Sequence, residues 1–321
     1  MPDRPNTKEN AGKKPLLTRI RYRLEYIGFL IGEALLRSLS RESAHNFARS
    51  LGRVTWLLSK RRRRIALANV AAAYAGEKSF SQIRRIARKN FLHIAETAVD
   101  LVRSTEMNND NLDEFFIFEG ADIIERELEK IKGNSKGFIL ISAHLGSQEM
   151  LIGHILKYGR GKETVITKCV RNPYLDNYLQ AQREKLGVKV LPHRGSGKEI
   201  IKRLTSGEVL FFLLDQRASF YEGVKCDFFG RPVVAHKAAA QLALTFNLPV
   251  IPVFVPRNDD GRYRLIYQEP LDLARTDDME KDIRENTQLI QNTIEQMVRL
   301  YPKQWWWPHD RWKHGEAAPN E

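Results

Sequence analysis

Gly137-Phe-Ile-Leu-Ile-Ser-Ala-His-Leu-Gly-Ser-Gln-Glu149 is the stretch that decides the reading of this chain. A run of β-forming residues, Phe138 to Ile141, passes into small polar ones. His144 then stands where a new helix begins, and Glu149 follows five positions later. In open α/β sheets, reactive groups collect where a strand ends and the next helix starts. A five-residue step inside one helix turns two side chains about 140° apart. His144 and Glu149 therefore share a site only with His144 in the turn and Glu149 on the first turn or two of the helix. There the helix dipole favours an ionised carboxylate. A carboxylate accepting from one imidazole nitrogen fixes the tautomer and leaves the other nitrogen free as a base. The spacing alone carries no weight, because 8 histidines and 39 acidic residues in 321 positions yield about one such match by chance. Against the catalytic reading stands a plain capping or core histidine. Its place at a strand end is what raises it.

Around this stretch, strands and helices alternate. The pattern predicts strands at Phe115–Phe118, Phe138–Ser142, Thr164–Thr167, Val188–Leu191, Val209–Leu214, Val250–Val255 and Tyr263–Tyr267. It predicts helices at Ala121–Ile131, Gln148–Tyr158, 175–186, 197–205, His236–Phe246 and 280–300. Such alternation argues for an α/β fold, a mostly parallel or mixed sheet flanked by helices. The expected organisation is a disordered basic lead at 1–15, a helical membrane-associating region at 16–106, an α/β domain at 107–315 and a tail at 316–321.

The charge is placed unevenly. Residues 1–64 hold 16 Lys and Arg against 5 Asp and Glu, so +11 of the formal +13 lies there. That asymmetry points to a polyanionic surface, either nucleic acid or acidic phospholipid. Leu17–Leu39 is helical in pattern, with Ile20, Leu24, Ile27, Ile31 and Leu35 in one stripe. Its longest uncharged run, Tyr26–Gly32, is far short of the roughly 20 apolar residues a spanning helix needs. An interfacial helix flanked by Arg19, Arg21, Arg23, Arg37 and Arg41 is expected, weighed against a helix packed on its own domain. A second amphipathic helix carries Phe47, Leu51, Val54 and Leu58 and runs into Lys60-Arg-Arg-Arg-Arg64. No aromatics interleave with that run to stack bases, so anionic lipid suits it better than nucleic acid. Ser79 and Gln82 form a capping-box pair that opens a helix to Ser104. The two cysteines, Cys169 and Cys226, lack metal-ligand spacing and read as reduced thiols.

A G-x-S-x-G elbow and an H-E-x-x-H zinc site are both absent. Gly195-Ser-Gly-Lys198 lacks the first glycine and the final Ser/Thr of a phosphate loop. What remains is polar residues at the other strand ends: Lys168, Asn172, Asp176 and Arg183 after one strand, His193 and Arg194 after the next, and Asp215-Gln216-Arg217 after Val209–Leu214. Charges that end apolar strands cost desolvation unless they pair or face a cleft, so together these ends suit an anion-binding crevice.

In order, His144-Leu-Gly-Ser-Gln-Glu149, Asn172-x3-Asp176-x6-Arg183, Arg194 before the helix Glu199–Leu204, Leu213-Leu-Asp-Gln216 with Phe228-Phe-Gly-Arg-Pro232, and Gln304-Trp-Trp-Trp-Pro-His-Asp-Arg-Trp-Lys313 resemble the lipid A biosynthesis acyltransferase family. These are the late lauroyl and myristoyl transferases of lipopolysaccharide assembly and their relatives. The resemblance covers roughly residues 17 to 315. It implies a glycerolipid-acyltransferase-like fold at the cytoplasmic face of the inner membrane, held peripherally or by one N-terminal anchor. It implies an acyl thioester of acyl carrier protein or coenzyme A as co-substrate, no cofactor or metal, and a hydroxyl of a membrane glycolipid as acceptor, a lipid A precursor first. His144 is then the base and Glu149 orients it. Arg183 or Arg194 takes phosphate, Asp215 and Gln216 shape the site, and Asn172, Asp176 and Lys168 complete the substrate-binding set. An oxyanion donor is expected at a backbone N–H near Gly146. The N-terminal segment departs from the family in being shorter and more charged than a single span. The alternatives are another glycolipid or phospholipid acceptor, or a non-catalytic peripheral membrane or nucleic-acid-binding protein.

Overall fold

Ile139 to Ser142, buried on both faces, forms the middle strand of a seven-stranded sheet. A continuous apolar run is what a strand covered by helices on both sides requires. The computed structural model describes residues 15–133, 136–159, 161–167, 169–192 and 195–313. Nearly all of the expected lead and all of the tail lie outside them. The strands are β1 (Phe116–Glu119), β2 (Ile139–Ser142), β3 (Glu163–Thr167), β4 (Lys189–Pro192), β5 (Val209–Leu213), β6 (Gly223–Phe228), β7 (Arg231–His236), β8 (Val250–Phe254) and β9 (Tyr263–Tyr267). The large sheet runs β1-β9-β8-β2-β5-β3-β4, and β6 and β7 pair separately. Every neighbouring pair in the large sheet is parallel except β8 with β9. The chain moves outward from β2 to β3 and β4, returns to β5, and later crosses to β8 on the other side of β2. The carboxyl ends of β2 and β5 therefore flank the place where crevices form in open sheets.

The helices are α1 (Leu16–Ser38), α2 (Arg41–Leu58), α3 (Lys60–Ala73), α4 (Phe80–Arg103), α5 (Leu112–Phe115), α6 (Ala121–Gly133), α7 (Ile152–Tyr158), α8 (Pro173–Lys185), α9 (Gly197–Thr205), α10 (Ala238–Phe246) and α11 (Met279–Leu300). The capping box at Ser79 and Gln82 is formed and opens α4. Three expectations shift. Residues 148–151 form a 3-10 turn ahead of α7 rather than helix proper. His236 ends β7 rather than starting a helix. Residues 223–236, assigned no strand from sequence, form a hairpin whose turn places Phe229 at φ 54° and Gly230 at φ 64°.

Two apolar cores lie on opposite faces of the sheet. Ile139, Ile141, Phe212 and Leu214 join α10, α11 and the hairpin on one face. Leu140, Phe211 and Ile251 join α7 and β1 on the other. The N-terminal helices divide their faces. Residues of α3 and α4, such as Val70, Ala87 and Phe91, belong to the first core. Through its aromatic side α1 meets α8, with Phe29 and Tyr178 rings 5.1 Å apart and the Tyr178 hydroxyl donating to Glu33 at 2.6 Å. Its aliphatic stripe faces outward: Leu24 is 63% and Ile31 65% exposed, and Leu58 on α2 is 75% exposed. Among the described residues no helix is long and apolar enough to cross a membrane. Of the tryptophans after α11, Trp305 and Trp307 pack inward, at 1% and 0% exposure, while Trp306 and Trp312 are half-buried.

Candidate active site

His144 follows β2 by two residues and Asp215 follows β5 by two. Because β2 and β5 are paired neighbours, with Ser142 opposite Leu213, the two loops emerge side by side. His144 Nδ1 lies 2.8 Å from Asp215 Oδ1. The other carboxylate oxygen of Asp215 accepts from the Trp305 indole N–H at 2.8 Å. Both oxygens of a carboxylate that is 1% exposed are thereby engaged. Burial opposes its ionisation, but the imidazole and the indole N–H outweigh it and push its pKa down to about 2. An ionised Asp215 accepts from Nδ1–H, which fixes the tautomer with its lone pair on Nε2.

Gln216 Nε2 stands 3.2 Å from His144 Nε2 and 3.5 Å from Nδ1. An amide lying along the Nε2 lone pair would sit much farther from Nδ1. The near-equal distances set it against the ring and leave the Nε2 lone pair open to the cavity that His144 lines. That cavity encloses about 930 Å³, and its lining is more apolar than polar.

The loop carrying His144 is tied down on several sides. Gly146 N–H donates to Gln304 O at 3.0 Å and Ser147 N–H to Val255 O at 3.3 Å. Trp306 N–H donates to His144 O at 3.0 Å. His93 Nε2 lies 3.0 Å from Gly146 O, and burial lowers the His93 pKa, so this ring is neutral and donates. Asn90 on α4 holds the Trp305 carbonyl, and Asn69 on α3 holds the carbonyls of Trp307 and His309. The N-terminal helices thus fix the strap whose indole holds Asp215.

Against the sequence-based expectations, the structure exchanges the carboxylates. Glu149 accepts from Arg183 Nη2 at 2.7 Å rather than from the imidazole, because α8 brings Arg183 over the 3-10 turn. It still acts on His144 through space, adding to the rise in that histidine's pKa. Asp215, expected to shape the substrate site, has its oxygens taken by His144 and Trp305. Near the expected position of the oxyanion donor, the N–H of Gly146 itself donates to Gln304 O. Asn172 caps α8, accepting from Tyr174 N–H and donating to Tyr22 O at 2.9 Å, and it is absent from the cavity lining. Asp176 lines the cavity but accepts from Val170 N–H at 2.7 Å and from Gln180. Gln216 and Arg183 line the cavity. Lys168 and Arg194 lie outside the described residues.

The pH dependence follows from His144. Burial lowers its pKa, but the charge and hydrogen bond of Asp215, with Glu149 behind them, raise it overall. A base works only when neutral, so activity is lost as pH falls through this raised pKa. The acid limb of kcat/KM is expected above about 6.5, the ordinary histidine value. Asp215→Asn removes the main raising influence, leaving burial to dominate, so its limb moves to lower pH. Superimposable limbs for the two proteins would contradict this assignment.

The family model described as "Bacterial lipid A biosynthesis acyltransferase" matches residues 10–314. A Haemophilus influenzae protein named lipid A biosynthesis acyltransferase is 26% identical over 181 residues. That match spans 56% of this chain and 55% of the Haemophilus protein, so the chain covers about half the length of this relative.

Proposed function

This chain belongs to the bacterial lipid A biosynthesis acyltransferase family, and we propose that it moves a fatty acyl chain from an acyl thioester to a hydroxyl of a membrane glycolipid, a lipid A precursor first. The observation that carries this reading is the His144–Asp215 pair opening onto a mainly apolar cavity. Nε2 of His144 takes the proton of the acceptor hydroxyl as the oxygen attacks the thioester carbonyl. The carbon–sulfur bond then breaks, and the imidazolium returns its proton to the departing sulfur. Asp215 holds the tautomer and stabilises the imidazolium. A positioned base of this kind supplies about 10²–10⁴-fold. Glu149 adds negative charge near the ring and holds Arg183 at the cavity wall, where a guanidinium suits phosphate oxygens. No metal is invoked.

The outward stripes of α1 and α2, flanked by arginines, support seating on the anionic face of a membrane, where apolar burial and charge attraction act together. The test is a transfer assay with purified protein, acyl thioesters of several chain lengths, and lipid A precursor beside other glycolipid and phospholipid acceptors in vesicles. Transfer to the lipid A precursor, with vesicle binding that weakens as salt rises, is expected. Salt-sensitive DNA binding without transfer to any acceptor would overturn the reading.

A further inference from the structure

Among the described residues, two cations of the cavity wall, Arg217 and Lys237, form no ion pair with a carboxylate. Arg217 directly follows Gln216, and its Nη1 is shut off from solvent without a hydrogen-bond partner among the described residues. Lys237 lines the same cavity, between the end of β7 and the start of α10. Of the other charged groups on the wall, Arg183 pairs with Glu149, while the carboxylates of Asp176 and Glu222 accept from neutral donors, the Val170 N–H and the Ser219 hydroxyl at 2.9 Å. Glu222 adjoins Lys237 through its backbone, Lys237 N–H donating to Glu222 O at 3.3 Å. A half-buried cation without a partner costs desolvation that an arriving anion recovers.

The position is built rather than loose. Arg217 N–H donates to His309 Nε2, Arg217 bridges Ala235 on β7, and Ala218 N–H donates to Val234 O at 3.0 Å. Burial pushes the His309 pKa down to about 4, so this ring is neutral and accepts. The first turn of α10 has no acidic residue and no side-chain cap, so its open N–H groups add partial positive charge beside Lys237. The cavity lining draws on both faces of the sheet: Val188 and Phe211 belong to the core on one face, Phe212 and Leu242 to the core on the other.

We propose that Arg217 and Lys237 form a phosphate subsite of this cavity, distinct from the Arg183–Glu149 pair. It takes a phosphate ester carried either by the donor's pantetheine arm or by the acceptor. The assignment of phosphate to those two substrates rests on the acyl-transfer reading; the anion site itself does not. Arg183 already holds a carboxylate in Glu149, so Arg217 and Lys237, which form no ion pair among the described residues, offer an incoming phosphate a second site.

Two measurements test this separately. In the first, inorganic pyrophosphate is titrated at about 0.15 M salt, where surface attraction is largely screened. It is expected to raise the Tm of the wild-type protein and to lose that effect in Arg217→Gln and, independently, in Lys237→Gln. An equal Tm rise in the wild type and both variants, or none in the wild type, would overturn the proposal. In the second, Arg217→Gln is expected to raise KM about 10- to 100-fold, the size of one charge-assisted hydrogen bond, with kcat changed far less, and Arg217→Lys to recover part of it. If the phosphate belongs to the donor, the effect appears with acyl-coenzyme A and is lost with an acyl-N-acetylcysteamine thioester. If it belongs to the acceptor, the effect is lost with a dephosphorylated acceptor. A loss equal for every substrate pair would assign Arg217 a purely structural role. Absence of transfer by the wild type, with the pyrophosphate effect intact, would reject the acyl-transfer reading and leave the anion site standing.

Discussion

Asp215→Asn is expected to lower kcat by roughly 10²–10⁴-fold, the range a positioned base supplies, with the fold retained. The reason lies in how an amide must sit between its two neighbours. Trp305 Nε1–H points at one oxygen of Asp215, and His144 Nδ1 meets the other. An asparagine satisfies the indole with its carbonyl, which leaves its NH₂ facing Nδ1. That NH₂ donates, so Nδ1 becomes the acceptor and the proton moves to Nε2. The ring is then held in the tautomer that cannot take a proton from the hydroxyl. Steady-state kinetics, with circular dichroism to confirm folding, read this out. Retention of more than a tenth of the activity would assign the base to another group.

Gly146→Ala is expected to damage both stability and rate. Gly146 has φ 69°, and a Cβ there would come 1.8 Å from Val255 O. Neither the left-handed backbone nor a backbone carbonyl gives way cheaply, so a loss of about 3 kcal/mol or more is expected. Relief requires moving the loop away from β8, and that loop carries His144 two residues earlier. Displacement of a reacting group by about 1 Å costs on the order of 10²-fold in rate. Gly76 is the comparator, since it has φ 76° but no atom within 4 Å of a built Cβ. Gly76→Ala is expected to cost about 1 kcal/mol. Urea unfolding midpoints and kcat of the two variants measure the contrast. Similar losses in both would mean that the close packing of Gly146 on Val255 does not position His144.

These two sites mark how far the sequence reaches. Strands such as Phe138–Ile141 and helices such as α4 and α11 were legible because their periodicity and caps are local properties. The β6–β7 hairpin was not. Its turn uses Phe229 where Asn-Gly or Asp-Gly is the usual signal. Phe229 holds that conformation within tertiary contacts, its ring edge-on to Tyr74 at 5.5 Å and under the Arg299 guanidinium at 4.5 Å. Helix α3 was hidden because Lys60 to Arg64 carry no apolar stripe; it is held instead by Val70 in the core and by Asn69 on the carbonyls of Trp307 and His309. His144 was visible from its place at a strand end. Its carboxylate partner depended on β5 lying beside β2, an adjacency between residues 71 positions apart that local pattern does not encode. Charge closing an apolar strand was the available signal for Asp215. The Trp305 indole that completes the pair comes from the far end of the chain.

The most direct measurement is single-turnover transfer from a radiolabelled acyl thioester to a glycolipid hydroxyl by the wild-type protein and by His144→Ala. The account predicts labelled glycolipid from the wild type and a rate roughly 10²–10⁴-fold lower from the folded variant. Transfer by folded His144→Ala at the wild-type rate would contradict it.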